Sequence, residues 1–174
     1  MIPVVGKDAN VGSDAYWMDE ALAQARMAST IEEVPVGAIV VSAGEIISRA
    51  CNRNRIDNDP CAHAEILALR QAAQQIGNYR LTDTTLFVTL EPCFMCAGAI
   101  IHARVKRVVF AAHDQRAGAV GSLANILQTP MLNHTCEVTA GIREQESVAL
   151  LQSYFQQRRT DSSLYSRQFS QFAQ

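Results

Sequence analysis

No stretch of this sequence approaches the roughly 20 uninterrupted apolar residues that a membrane-spanning helix needs, so no membrane partner is expected. The start of the chain also lacks the basic, apolar, small-residue succession of a secretory signal, which makes cytoplasmic residence the expectation. The cysteines (Cys51, Cys61, Cys93, Cys96 and Cys136) are odd in number and irregularly spaced. That argues against a secreted disulfide framework and for metal binding or plain burial. A basic excess is missing too: 15 Lys and Arg stand against 17 Asp and Glu, for a net charge of −2. The bulk composition therefore carries no electrostatic footprint for nucleic acid. Charge is nevertheless uneven, since residues 102–116 hold Arg104, Lys106, Arg107 and Arg116 against Asp114 alone. Such a cluster is either a local basic patch or a solvated face.

Internal repeats, low-complexity tracts and linkers are absent as well, which leaves a 174-residue chain, 48% hydrophobic and 18% charged, as one globular domain with its own core. Residues 1–13 have little periodicity and are expected to form a loose arm, 14–160 the domain, and 161–174 a polar tail. Helical spacing of Tyr16, Trp17, Ala21, Leu22 and Ala25 predicts a helix capped by Ser13 or Asp14. Val36–Val41 and Glu45–Ala50, turned at Ala43-Gly44, read as a hairpin, and 52–60 as a loop. A helix is expected from His63 to Ile76, ended by Gly77-Asn78, and a buried strand over Thr85–Leu90. Pro92 would then open a helix to about Ala103, followed by a strand at Val105–Ala111, so that strand, helix and strand make a parallel crossover. Beyond it the pattern predicts a loop at Ala117–Gly121, a short helix at Ser122–Leu127, a weak strand at Glu137–Thr139 and an amphipathic helix from Arg143 to about Arg159. The fold class that follows is a three-layer α/β/α domain.

The chemistry-bearing residues are His63-Ala64-Glu65 and, thirty positions after the histidine, Pro92-Cys93-Phe94-Met95-Cys96. Each group sits where a helix begins, and the positive end of a helix dipole favours thiolate over thiol. One imidazole and two thiolates leave a zinc ion one open tetrahedral position, the mark of a catalytic rather than a structural site. There the ion can lower the pKa of water toward roughly 7. Glu65, two residues from the histidine and flanked by Ala62, Ala64 and Ile66, is placed to take the proton of that water and pass it to substrate. A cysteine pair three apart is also found in redox motifs and in half-sites of structural zinc clusters. A redox pair has no use for the upstream histidine and glutamate, and a structural cluster wants a fourth ligand. Cys61, two residues before His63, is the candidate for that closing ligand. Cys51 and Cys136 are expected to be small buried hydrophobes, and His102, His113 and His134 show no ligand spacing.

Taken together, these segments resemble the zinc-dependent nucleobase deaminases of the cytidine and deoxycytidylate deaminase-like family. The resemblance extends beyond the metal motifs to Glu33-Val34-Pro35-Val36-Gly37-Ala38, Asn52-Arg53, Tyr79-Arg80-Leu81, Val88-Thr89-Leu90-Glu91 and Gly118-Ala119-Val120-Gly121-Ser122, over residues 14–160. It implies a mixed sheet of about five strands, one Zn2+ per subunit held by His63, Cys93 and Cys96, catalysis by Glu65 and a homodimer. It implies further that the substrate is an adenosine flipped out of the wobble position of a tRNA anticodon stem-loop and converted to inosine. Asn52 would then hydrogen-bond the base, the loop around Asp114 would touch neighbouring nucleotides, and Phe155 and Arg158 on the last helix would receive bases and phosphates. Competing readings are Asn52 as a loop-capping residue and Tyr154 and Phe155 as core positions of an amphipathic helix. For the whole protein they are a deaminase of free guanine, cytosine or cytidine, and a zinc-stabilised RNA-binding module without turnover.

Overall fold

The computed structural model describes residues 12–170, with side chains through residue 160. The expected arm at 1–13 falls almost wholly outside the described residues. Helix α1 (Asp14–Thr30) begins at Ser13, whose hydroxyl accepts the Tyr16 amide at 3.2 Å, and buries Trp17, Met18, Ala21, Leu22, Ala25 and Ala28 along one stripe. Strands β1 (Gly37–Ser42) and β2 (Glu45–Cys51) form the expected hairpin, with Ala43 and Gly44 at φ of 50° and 78°. Helix α2 (Ala64–Ile76) stops at Gly77, whose left-handed φ of 72° suits a residue without Cβ. Strand β3 (Thr84–Leu90), helix α3 (Phe94–His102) and strand β4 (Arg107–Ala112) make the parallel crossover, and β5 (Glu137–Ala140) and helix α4 (Glu144–Ser170) complete the chain.

The five strands lie in the order β2-β1-β3-β4-β5. β1 is antiparallel to both its neighbours, whereas β3, β4 and β5 run parallel. Alternation along the strands divides the core into two layers. Ala38, Val40, Leu86, Val88, Val108 and Phe110 face Ala64, Ala68, Ala97 and Ile100 of α2 and α3. Ile39, Val41, Phe87, Val109 and Ala111 face Trp17, Met18 and Leu22 of α1, with Leu150 of α4 alongside. The architecture is thus the expected three-layer α/β/α domain. Among the described residues no helix is long and apolar enough to cross a membrane.

Three local expectations are corrected. Pro92 does not open α3: Cys93 is the N-cap, with extended φ and ψ of −73° and 174°, and Pro92 lies outside the helix with its carbonyl engaged by the Ala119 amide. Ser122–Leu127 is not a helix except for a single 3₁₀ turn at Ile126–Gln128, because the Ser122 amide is bonded to Glu91 and the Gly121 amide to the Ala124 carbonyl. Helix α4 does not end near Arg159 but continues to Ser170, through a segment free of glycine and proline.

Candidate metal centre and substrate cleft

The carboxyl ends of the parallel strands β3 and β4 and the starts of α2 and α3 meet at one end of the sheet, the place where open α/β folds put their sites. His63 caps α2 and Cys93 caps α3, both with extended backbone and neither using its side chain to cap its own helix. Their side chains turn toward each other instead. Cys93 Sγ lies 3.7 Å and Cys96 Sγ 3.4 Å from His63 Nδ1, and the three ligand-type atoms fall within 4.8 Å of one another. Bonds of about 2.0 and 2.3 Å at a tetrahedral ion place nitrogen and sulfur ~3.6 Å apart, so the arrangement fits zinc. Cys61 is not part of the group, among the described residues, and its amide is instead held by Asp59. The closed four-ligand reading therefore loses its candidate.

The charge distribution prepares the thiols. The bond from Cys96 holds the Cys93 thiol down to about 4, with help from His63 against burial. Cys96, fully buried, is pushed up by the same bond and by desolvation. Cys93 is thus a thiolate facing two proton donors, a position a divalent cation can take over. Glu65, in the first turn of α2, is 4% exposed, and burial pushes its carboxyl up to about 7. A carboxyl poised near neutrality beside a metal site can both accept and return a proton.

A cleft of about 300 Å³ opens over this group, lined by His63, Glu65 and Cys93 together with Asn52 and Asp114. Asn52 is buried, and its Oδ1 accepts the Ala64 amide at 2.8 Å. It therefore caps α2 from outside the helix, which leaves its Nδ2 as the group available to the cleft. Asp114, after β4, holds the Arg116 and Ala117 amides at 2.9 and 3.2 Å and so shapes its own loop. Phe155 and Arg158 do not reach this cleft. They line an adjoining groove of about 700 Å³ that shares Val34, Leu90 and Asp114 with it. Phe155 is 47% exposed, which overturns its reading as a core residue. Arg158 lies over the Tyr154 ring and is bonded to the Glu32 carbonyl at 3.1 Å.

Two buried carboxylates were not recognised from sequence. Glu33 accepts the Arg55 and Ile56 amides at 2.7 and 2.8 Å and so ties down the loop after β2. Glu91 accepts the Asp114, Val120 and Ser122 amides and the Ser122 hydroxyl. Burial opposes its charge, but those donors hold its carboxyl below the ordinary carboxylate range. A charged residue embedded in an apolar run (Glu33-Val34-Pro35-Val36 and Thr89-Leu90-Glu91-Pro92) was the signal available. Of the other cysteines, Cys136 is buried with its thiol pushed up to about 11 by desolvation, while Cys51 is only half-buried.

An imidazole and two cysteines at paired helix starts, with a buried glutamate beside them and outside the ligand group, are the parts of a hydrolytic zinc site. Residues 11–112 match the model of the cytidine and deoxycytidylate deaminase zinc-binding region. The tRNA-specific adenosine deaminase of Haemophilus influenzae is 47% identical over 152 residues, covering 87% of this chain and 88% of that protein. Its Bacillus subtilis counterpart is 44% identical over 146 residues, covering 84% and 91%. A solved structure described for A-to-I editing by tRNA:A34 deaminases at the wobble position superposes with a TM-score of 0.76 at 43% identity, covering 78% of this chain and 99% of that one. The chain belongs to this zinc-binding deaminase family, in its tRNA-specific adenosine deaminase branch.

Proposed function

We propose that this protein hydrolyses the 6-amino group of an adenosine at the wobble position of a tRNA anticodon, yielding inosine and ammonia, with His63, Cys93 and Cys96 as zinc ligands and Glu65 as the proton carrier. The observation that carries it is the burial of Glu65 beside the three ligand atoms, with no place among them. A zinc ion held by His63, Cys93 and Cys96 would lower the pKa of water toward neutrality and so supply the nucleophile. The Glu65 carboxylate takes one proton of the attacking water and delivers it to the adenine ring nitrogen N1, then takes the proton of the new C6 hydroxyl and hands it to the departing amino group, leaving the C6 carbonyl of inosine and ammonia. Asn52 Nδ2 donates to the base, and the cleft walls keep bulk water from the carboxylate.

Asp114, Phe155 and Arg158 contact the nucleotides that flank the flipped base. Their alignment along the groove that adjoins the metal cleft supports this, as does the substrate of the relatives. A free base needs the cleft and makes no use of the groove. We also propose that the protein is a homodimer working in the cytoplasm, where its substrate resides. The groove between α2 and α3, lined by Ile66, Leu69, Ala73 and Ala99 with Tyr79 65% exposed beside them, supports a self-complementary contact. Incubation with unmodified tRNA and nucleoside analysis tests the reaction: inosine at the wobble position is expected, whereas deamination of free guanine or cytosine with no action on RNA overturns the reading. A sedimentation mass equal to one chain overturns the dimer.

A further inference from the structure

Between the end of β3 and the thiolate of Cys93 stand only Glu91 and Pro92. Glu91 stands in the wall of the metal cleft, but its side chain has 0% exposure and is turned to the protein's own donors. Both its oxygens are taken by a single segment, the loop 113–122 that follows β4. Oε1 accepts the Val120 and Ser122 amides, each at 2.9 Å, while Oε2 accepts the Asp114 amide at 3.0 Å and the Ser122 hydroxyl. The donors come from the two ends of the loop. Its middle passes so close to the carboxylate that a Cβ on Gly118 would overlap the Glu91 carboxyl carbon, which restricts that position to glycine. The same loop is tied to the metal side through the main chain, by the Ala119 amide on the Pro92 carbonyl at 2.9 Å and by the bridge between Cys93 and Gly118.

A buried carboxylate is costly unless saturated with donors, and a neutral side chain could hold one end of a loop without that cost. What the charge adds is simultaneous grip on both ends, which fixes where Asp114 sits relative to a residue only two positions along the chain from Glu91. Groups behind the reacting ones set their geometry in this way at metal sites. We propose that Glu91 is a positioning residue for deamination: it holds the Asp114 end of the 113–122 loop against the metal centre, so that a nucleotide gripped by that loop presents its neighbour's base to the cleft. This rests on the functional reading above.

Glu91→Gln is the discriminating variant. Its amide nitrogen is best accommodated at the Oε2 position, where the Ser122 hydroxyl can reverse and accept, and there the Asp114 amide is left facing a donor. With an anticodon stem-loop as substrate, the KM of Glu91→Gln is expected to rise about tenfold, the scale of one charge-assisted hydrogen bond, with kcat within about threefold and zinc content unchanged. Hydrogen exchange at the Asp114 amide should accelerate by about tenfold or more, and at Val120 and Ser122 by less, since those still face an oxygen. Ser122→Ala should raise KM by a smaller factor with the same split, and it decides the matter alone if Glu91→Gln fails to fold. Unchanged KM in both variants, or activity falling only in step with zinc content, overturns the proposal. A wild-type chain inactive on the stem-loop sinks the functional reading instead, and the anchoring by Glu91 then stands or falls on the exchange rates.

Discussion

The side-chain oxygen of Asn52 receives the amide of Ala64, the residue just before Glu65, at 2.8 Å. One side chain thus satisfies an orphan amide at the start of α2 and brings its other polar atom to the cleft. The two duties are separable by substitution. Asn52→Asp keeps the acceptor and loses the donor, so kcat/KM should fall by about tenfold or more, while the capping bond, now charge-assisted, offsets part of the cost of burying the charge. Asn52→Ala loses both and should also cost about 1 kcal/mol of stability. Thermal melts and stem-loop kinetics on the two variants check this; equal activity of Asn52→Asp and wild type would return Asn52 to a purely capping role.

Glu65 makes no contribution to the ligand triplet, so Glu65→Ala should retain zinc while losing ammonia release by about 100-fold or more, the usual weight of a general acid–base group. Metal analysis and ammonia assay on one preparation suffice. Normal turnover by the variant would remove the assigned role.

The cysteines should divide sharply. Cys93→Ser and Cys96→Ser each replace a soft thiolate with a hydroxyl that zinc binds poorly, and both should lose metal and activity together. Cys61→Ser should keep both, because Cys61 stands outside the group of ligand atoms. Removing the ion from wild type with a chelator should abolish turnover, and added zinc should restore it. A Cys61→Ser protein depleted of metal would reinstate the closed site.

The grouping of His63, Cys93 and Cys96 was legible because each half of it is local. His63 and Glu65, or Cys93 and Cys96, lie within one helical turn, so spacing along the chain already implies spacing in space. The layers were legible for a related reason, since Ile39, Phe87 and Val109 alternate with residues of the opposite face at a period of two. Glu33 and Glu91 were not legible, because their partners are 22 to 31 residues away and consist mainly of backbone amides, which every sequence has. The missing helix at Ser122–Leu127 is the other side of the same fact: the Ser122 amide was already committed to Glu91. The end of α4 escaped because the polar composition after Thr160 says nothing against a helix.

Arg158 offers the sharpest test of the RNA groove, because its guanidinium is already occupied. It bonds the Glu32 carbonyl at 3.1 Å and lies 3.4 Å from the Glu32 carboxylate, whose side chain is 77% exposed. An exposed ion pair of that kind is worth about 0–1 kcal/mol, less than a charge-assisted bond to a phosphate, so RNA should draw Arg158 away from the carboxylate. The competition has a measurable signature. Glu32→Gln removes the competing charge and should tighten stem-loop binding by about two- to fivefold, whereas Arg158→Ala should weaken it and lower the slope of log K against log salt by about 0.7 for a single-stranded contact. In the double variant most of the gain from Glu32→Gln should disappear, since only Arg55, 4.0 Å from the same carboxylate, is left for it to release. If Glu32→Gln tightens binding equally with and without Arg158, the gain is general relief of repulsion between RNA and an acidic surface, and Arg158 is a brace for α4 and not a ligand for phosphate.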